Sequence, residues 1–362
     1  MSFELIRPGT TIDFVGMRRY AYAFSAVLLL VGGLSLLFKG GPTYGVDFAG
    51  GFNVQIQFSK AVDLGVLRKH LENPALPGLV IQNFGDVEDH QMLLRASFAD
   101  QSANQVREAI EQGLGSLPNT SYEIQRLEMV GPKVGADLRE KALQAIFYAV
   151  LLIATYVSGR FEQKWMVSGL MAAALASVVY VLELLHAPMS FSVVAATVVT
   201  LVLCAVLRLK YALGAMVSLV HDVMIPLGIF SLLNKEVDLT IIAALLTIVG
   251  YSLNDTIIIY DRIRENLRAK VAPTLNEVIN NSVNQTLSRT VITSGTTFMA
   301  VLALYIFGGA VIHDFALAML IGVVFGTYSS IFVGAPVLAL FKPKAEEPKK
   351  GVATAVDRKS VV

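Results

Sequence analysis

Gly250-Tyr251-Ser252-Leu253-Asn254-Asp255-Thr256-Ile257-Ile258-Ile259-Tyr260-Asp261-Arg262-Ile263-Arg264-Glu265-Asn266 follows an almost unbroken apolar run, Leu239 to Val249. The two together read as one membrane-spanning helix with its charged border at Arg262. Asp255 lies inside that helix, seven residues before Arg262. At helical rise it is roughly 10 Å from the border. A carboxylate at that depth costs several kcal/mol unless it is paired, protonated or wetted. Ionisable groups inside a membrane mark proton or ion pathways, so Asp255 is the first candidate functional residue. Thr247, Tyr251 and Asp255 recur every four residues and share one helical face. They are expected to form a polar seam facing other helices.

Composition agrees with a membrane location. Of 362 residues, 54% are hydrophobic and 16% charged, against about 25% charged in soluble domains. Mean hydropathy is +0.61. A net charge of +1 gives no case for nucleic-acid binding. Cys204 is the only cysteine, so no disulfide within the chain and no metal site is expected. The first apolar run follows Arg18-Arg19 without an Ala-x-Ala-like cleavage site and reads as a retained helix.

Working outward from the opening stretch, a polytopic α-helical protein of about eight spanning helices emerges. The expected order is a segment 1–19, a first span 20–38, an external region 39–138, a membrane bundle 139–341 and a basic, disordered tail 342–362. The bundle spans are expected near 142–159, 165–185, 187–207, 211–233, 239–260, 290–308 and 315–341. Two of them are interrupted, by His221-Asp222 and by Asp255. Lysine and arginine alternate between connections. Arg7, Arg18, Arg19, Arg160, Lys164, Arg208, Lys210, Arg262, Arg264, Arg268, Lys270 and the tail fall on one side, and Lys235 alone lies in the short turns of the other. The positive-inside rule then puts both termini in the cytoplasm and 39–138 outside. Between the spans, 263–288 carries Thr274 and Glu277 as a capping box and an apolar face at Leu275, Val278, Ile279, Val283 and Leu287. A cytoplasmic amphipathic helix, on the membrane surface or on a partner, is expected there.

The external region alternates as a soluble domain does. Phe52, Val54, Ile56 and Phe58 make a half-buried strand, 79–84 a second, Met92, Leu94, Ala96 and Phe98 a third, and 121–130 a fourth. Helices fit 63–72 and 102–115. The order βαββαβ is that of a small α+β ferredoxin-like module. The fold alone names no function.

Three stretches carry a family resemblance. They are Gly45-Val46-Asp47-Phe48-Ala49-Gly50-Gly51 after the first span, Val130-Gly131-Pro132-Lys133-Val134-Gly135 before the second, and the opening stretch together with Ser288-Arg289-Thr290-Val291-Ile292-Thr293-Ser294-Gly295-Thr296-Thr297. Ile12-Asp13-Phe14-Val15-Gly16 is similar as well. Together they resemble the SecF branch of the SecD/SecF protein-export family, itself related to the resistance-nodulation-division (RND) transporters. The resemblance implies an RND-like helix bundle in the cytoplasmic (inner) membrane. It implies a partnership with SecD, the SecYEG channel, YajC and the translocating unfolded polypeptide, and use of the proton gradient, with no cofactor, for late steps of export. It also carries proton-relay roles onto Asp255, Arg289 and Thr293. The Gly45, Asp47, Gly50, Gly51, Gly131, Pro132 and Gly135 positions are its structural motif. The family usually has six helices, so residues 163–207 are expected to be an inserted helical hairpin on the edge of the bundle, in contact with lipid or a partner.

Other residues keep two readings. His221-Asp222 is a structural pair between helices or a further relay, with Asp222 the next candidate acid. Glu183 and His186 read as interfacial, and His313-Asp314 as a helix cap. Gly322, Gly326, Ser329, Ser330 and Gly334 read as close-packing positions. No nucleophile, base and oxyanion site assembles, so no enzyme is expected. The rival function is an RND-type small-molecule proton antiporter component. Such pumps usually carry two large external domains and about twelve helices in one chain. A passive scaffold is the third reading.

Overall fold

The computed structural model describes residues 11–71, 76, 79–84, 90–96, 103–117 and 120–341. Arg7, the Asn73-Pro74 turn, Phe98 and the tail 342–362 lie outside the described residues, as does the side chain of Glu183. Among the described residues, eight helices are long and apolar enough to cross a membrane. They are α1 (Phe14–Phe38), α5 (Pro132–Glu162), α6 (Trp165–Leu184), α7 (Met189–Val206), α8 (Lys210–Leu232), α9 (Leu239–Arg268), α10 (Leu275–Phe307) and a last one that begins as α11 (Gly309–Ser329). α11 runs on through a π-helical turn (Ser330–Gly334), α12 (Ala335–Val337) and a 3-10 turn (Leu338–Leu340).

Between α1 and α5 come a short helix α2 (Val46–Ala49), β1 (Gly51–Phe58), α3 (Leu64–His70), β2 (Val80–Phe84), β3 (Gln91–Ala96), α4 (Ala103–Gly115) and β4 (Tyr122–Val130). The sheet order is β2-β3-β1-β4, with every pairing antiparallel. Phe52, Val54, Ile56 and Phe58 of β1 turn inward with Leu67, Leu94, Ile110 and Leu114 into one core. Asn53, Gln55 and Gln57 alternate onto the other, polar face. This is the expected ferredoxin-like module.

Several helices are longer than hydropathy suggested, for local reasons. α1 starts at Phe14, because Asp13 caps it by accepting the Gly16 amide at 2.8 Å. That amide and the Asn280 side chain at 2.7 Å hold the Asp13 carboxyl below its ordinary range. The first span thus takes in residues assigned to the segment 1–19. α5 starts at Pro132, where proline at the first turn loses no hydrogen bond. The boundary at 138 therefore falls inside a helix.

The largest correction concerns 263–288. It is not a separate amphipathic helix. Residues 263–268 end α9, and from Leu275 onward the segment is the start of α10 itself. Its apolar face, Val278, Ile279 and Val283, is buried in the bundle's own core. Asn280 and Asn284 seize the chain just before α1: Asn284 exchanges two hydrogen bonds with Ile12, and the Asn280 Oδ1 accepts the Val15 amide at 2.9 Å. Thr274 does cap the helix, accepting from Glu277.

α8 is the most enclosed of the eight. α1, α5, α7, α9 and α11 pack around it. α1 crosses it at Gly32 and Gly228, where a Cβ on either would come 2.8 Å from the other's Cα. α6 packs on α5 and α7, with a line of exposed apolar side chains that includes Trp165, Met166 and Leu170.

Candidate functional site

α9 carries the site. Its inward face holds Ser252, Asp255, Thr256 and Ile259, all buried. Its outward face holds Thr247, Gly250 and Asn254, all exposed. The expected seam through Thr247, Tyr251 and Asp255 therefore splits: Asp255 faces the bundle and Thr247 faces away.

Asp255 is 2% exposed, and its Oδ2 accepts from the Ser294 hydroxyl of α10 at 3.2 Å. Thr293, the neighbouring candidate, is exposed and bonds back to the carbonyls of Arg289 and Thr290, both at 3.0 Å. Arg289 is exposed too; among the described residues it makes no ion pair with Asp255, yet its charge lies near enough to act on the Asp255 carboxylate. The structure thus brings Ser294 to Asp255 and leaves Arg289 and Thr293 on the outside of α10, in line with Thr296. Ser294 was missed by the sequence reading. Its signal was the four-residue recurrence Ser282, Thr286, Thr290, Ser294, and all four are buried. The Thr256 and Thr290 hydroxyls, on the same two helices, are buried without a hydrogen-bond partner.

The second acid is better furnished. Asp222 is 0% and His221 2% exposed. Asp222 Oδ1 meets His221 Nδ1 at 2.9 Å. Its Oδ2 accepts from Ser329 of α11 at 2.7 Å and from Ser252 of α9. On the far side of the ring, His221 Nε2 meets Ser25 of α1 at 3.1 Å. Ser25 in turn touches the Tyr328 hydroxyl at 3.2 Å, which donates to the Ala21 carbonyl at 2.8 Å. Tyr328 stacks on His221 with ring centroids 5.9 Å apart. One network therefore ties α1, α8, α9 and α11 together. Ser329, read from sequence as a packing residue, is one of its members, next to the π-helical turn. Such turns recur at functional positions.

The Leu239 end of α9 is clamped to the small α+β module. Asp238 caps α9 by accepting the Ile241 amide at 2.9 Å, and the Asp47 carboxylate of α2 accepts the Leu239 amide at 3.1 Å. Val237 exchanges backbone hydrogen bonds with Thr43 and Gly45, at 2.7 and 3.0 Å. Gly50 and Gly51 take positive φ, +75° and +140°, conformations that side chains disfavour. The chain thereby turns from α2 into β1 against the start of α5, where a Cβ on Gly135 would come 3.1 Å from the Phe48 carbonyl. The motif glycines and Asp47 thus build one joint. Arg95 of β3 adds an ion pair with Glu236 at 2.5 Å, in a polar cleft of about 260 Å³ between the sheet's polar face and the bundle. Glu236 lies between the spans. Burial raises its carboxyl above the ordinary value, and Arg95 pulls it back part of the way. His313-Asp314 is not a cap: Gly308 precedes the first turn of α11, and Asp314 pairs with Lys235 at 2.5 Å.

Comparison with known proteins agrees with this architecture. The family described as "Protein export membrane protein SecD/SecF, C-terminal" matches residues 110–201 and 183–344, and the SecD/SecF GG motif matches 35–62. The chain is 37% identical over 343 residues to protein translocase subunit SecF of Calditerrivibrio nitroreducens, covering 94% of this chain and 97% of that one. It is 40% identical over 345 residues to the SecF subunit of Magnetococcus marinus, covering 94% and 95%. Among solved structures, SecDF of Thermus thermophilus matches with a TM-score of 0.66 and 30% identity over 92% of this chain. The chain spans 39% of that longer protein. By family model, by full-length relatives and by fold, the chain belongs to the SecD/SecF family of protein-export membrane proteins, on its SecF side.

Proposed function

We propose that this chain works with a SecD partner as the SecF subunit of the Sec translocase, using the proton gradient for late steps of export through the SecYEG channel. The observation that carries this reading is α9. One continuous helix of 30 residues has the buried Asp255 in its membrane-embedded length and the clamp to the external module at its first residues. A change of charge at Asp255 alters what Ser294 and α10 can bond, and a shift of α9 is felt at Asp47 and Gly45. The external module then moves rather than catalyses, offering its sheet edges to an unfolded chain. Both termini lie in the cytoplasm on this reading, and YajC is an associated partner.

The exposed polar stripe supports a partner bundle. Arg289, Thr293 and Thr296 on α10, with Thr247 and Asn254 on α9, point out of membrane-crossing helices. Polar side chains there are costly against lipid and are normally covered by protein. A SecD-type bundle covering that face would enclose Asp255, Arg289 and Thr293 in one relay and press Arg289 toward the acid.

The test is gradient-driven export in inverted vesicles carrying Asp255→Asn together with its SecD. The variant is expected to insert and to copurify with SecD, yet to lose the stimulation by the gradient. Full stimulation at normal expression would sink the reading.

A further inference from the structure

The network around His221 can be read for its protons, because each donor in it has only one to give. The Tyr328 hydroxyl gives its single hydrogen to the Ala21 carbonyl, which can only accept. The contact between Ser25 and Tyr328 at 3.2 Å therefore uses the hydrogen of Ser25. With that hydrogen spent, the contact between Ser25 and His221 Nε2 at 3.1 Å has to use a hydrogen on the ring nitrogen. At the other side of the ring, Nδ1 and Asp222 Oδ1 lie 2.9 Å apart and need one more hydrogen between them, since two bare lone pairs repel. Asp222 Oδ2 already accepts from the hydroxyls of Ser252 and Ser329. The count leaves the pair with two hydrogens, as imidazolium with carboxylate or as imidazole with carboxylic acid. Both are neutral overall, which suits a site 0–2% exposed.

We propose that the His221–Asp222 pair is a second proton-holding site, loaded in this structure, whose proton sets the hydrogen bond between Ser25 and Tyr328 and so ties α1 to α11. The consequence follows from the same count. If the proton leaves to solvent, the pair becomes singly negative and one hydrogen remains on the ring. The carboxylate draws it to Nδ1, so Nε2 turns from donor to acceptor. Ser25 must then turn its hydroxyl toward His221, and its bond to Tyr328 is lost. Loading and unloading thus make and break a contact between two helices, next to the π-helical turn. Around the pair, α1 brings Ser25, α9 brings Ser252 with Asp255 one turn further on, and α11 brings Tyr328, Ser329 and the ring of Phe325. Among the described residues no charged side chain from α1, α5, α7, α9, α11 or the π-helical turn hydrogen-bonds to it. The use of this proton in export rests on the function proposed above, but the presence of the proton does not.

The experiment is nitrogen magnetic resonance of the full chain with its SecD partner in lipid, labelled at its five histidines, with His221→Gln identifying the signal. At pH 7 the His221 Nε2 is expected to carry a hydrogen. Tyr328→Phe removes the acceptor that holds the Ser25 hydrogen; that hydrogen turns to Nε2, the ring keeps one hydrogen on Nδ1, and the pair's second proton passes to solvent. A bare Nε2 in the unmodified protein, or an unchanged ring in Tyr328→Phe, overturns the proposal whatever export does. In vesicles, Tyr328→Phe is expected to lower gradient-driven export by about tenfold, the scale of one neutral hydrogen bond. If the ring switches and export is unchanged, the proton is held but its use in coupling is refuted.

Discussion

Asp222 and Asp255 are both buried acids on neighbouring helices, yet one has three side-chain partners and the other has one. Asp222 is held by His221, Ser252 and Ser329 from three helices. Among the described residues Asp255 has Ser294 alone as a hydrogen-bond partner. A fully satisfied buried polar group stiffens its surroundings, while a singly bonded one has bonding capacity left to exchange. The contrast makes α8 the firmly packed centre of the bundle, where only a proton and the Ser25–Tyr328 hydrogen bond change, and the α9–α10 pair the part freer to shift as helices.

The contrast breaks most visibly when an acid is removed. Asp222→Ala leaves the ring and two serines without their acceptor, and a loss of about 3–5 kcal/mol is expected. Folded protein recovered at normal yield, with an unchanged melting temperature, would erase the difference between the two sites. Asp255→Asn should instead change stability by less than about 1 kcal/mol, while gradient-driven export falls by at least about tenfold, or 1.4 kcal/mol in coupling. Measuring both variants by both assays separates the firmly held site from the loosely held one.

The joint outside the membrane offers a smaller effect with a definite sign. The Glu236 carboxyl is raised in the docked form, chiefly by burial, so docked protein holds that proton more readily than released protein. Its contribution to docking therefore weakens as pH rises above the ordinary glutamate range. Glu236→Gln removes that slope and should leave stability at neutral pH unchanged or higher by up to about 1 kcal/mol. Arg95→Met keeps the buried acid and removes its cation, so it should be the more harmful change of the two. Thermal melts of both variants across pH read the order directly, and the reverse order would refute it. Smallest of all, Ser294→Ala removes one hydrogen bond from a hydroxyl to the Asp255 carboxyl, about 1 kcal/mol. It should displace the pH midpoint of export without abolishing it, whereas a null effect would mean that Ser294 does not bear on the acid.

Much of this was legible in the sequence. Alternation gave β1 its buried face, and an acid inside an apolar run exposed both Asp222 and Asp255. The failures have physical causes. The start of α1 is set by the Asp13 cap and not by where charge ends, so hydropathy placed it late. The 275–288 stretch is amphipathic because its apolar face packs on its own bundle, a pattern that looks the same as a face waiting for membrane or partner. On α10 the stripe at Arg289, Thr293 and Thr296 and the seam at Thr290 and Ser294 differ by one residue. One residue turns a helix by about 100°, enough to exchange the inside for the outside. The partners of the His221–Asp222 pair come from residues 25, 252 and 329, and a pattern within one helix says nothing about which distant serines will meet.

The clamp at the head of α9 has a mechanical consequence. Thirty helical residues make a shaft of about 45 Å, longer than the roughly 30 Å of hydrocarbon it crosses. Its interior has no proline, and it runs as one unbroken α-helix through Gly250 and Ser252. A few degrees of roll in mid-membrane arrive at Asp47 as the same few degrees. On the proposed reading, a proton can then drive work outside the cell without any ion, nucleotide or messenger crossing to that side, because what crosses is torque.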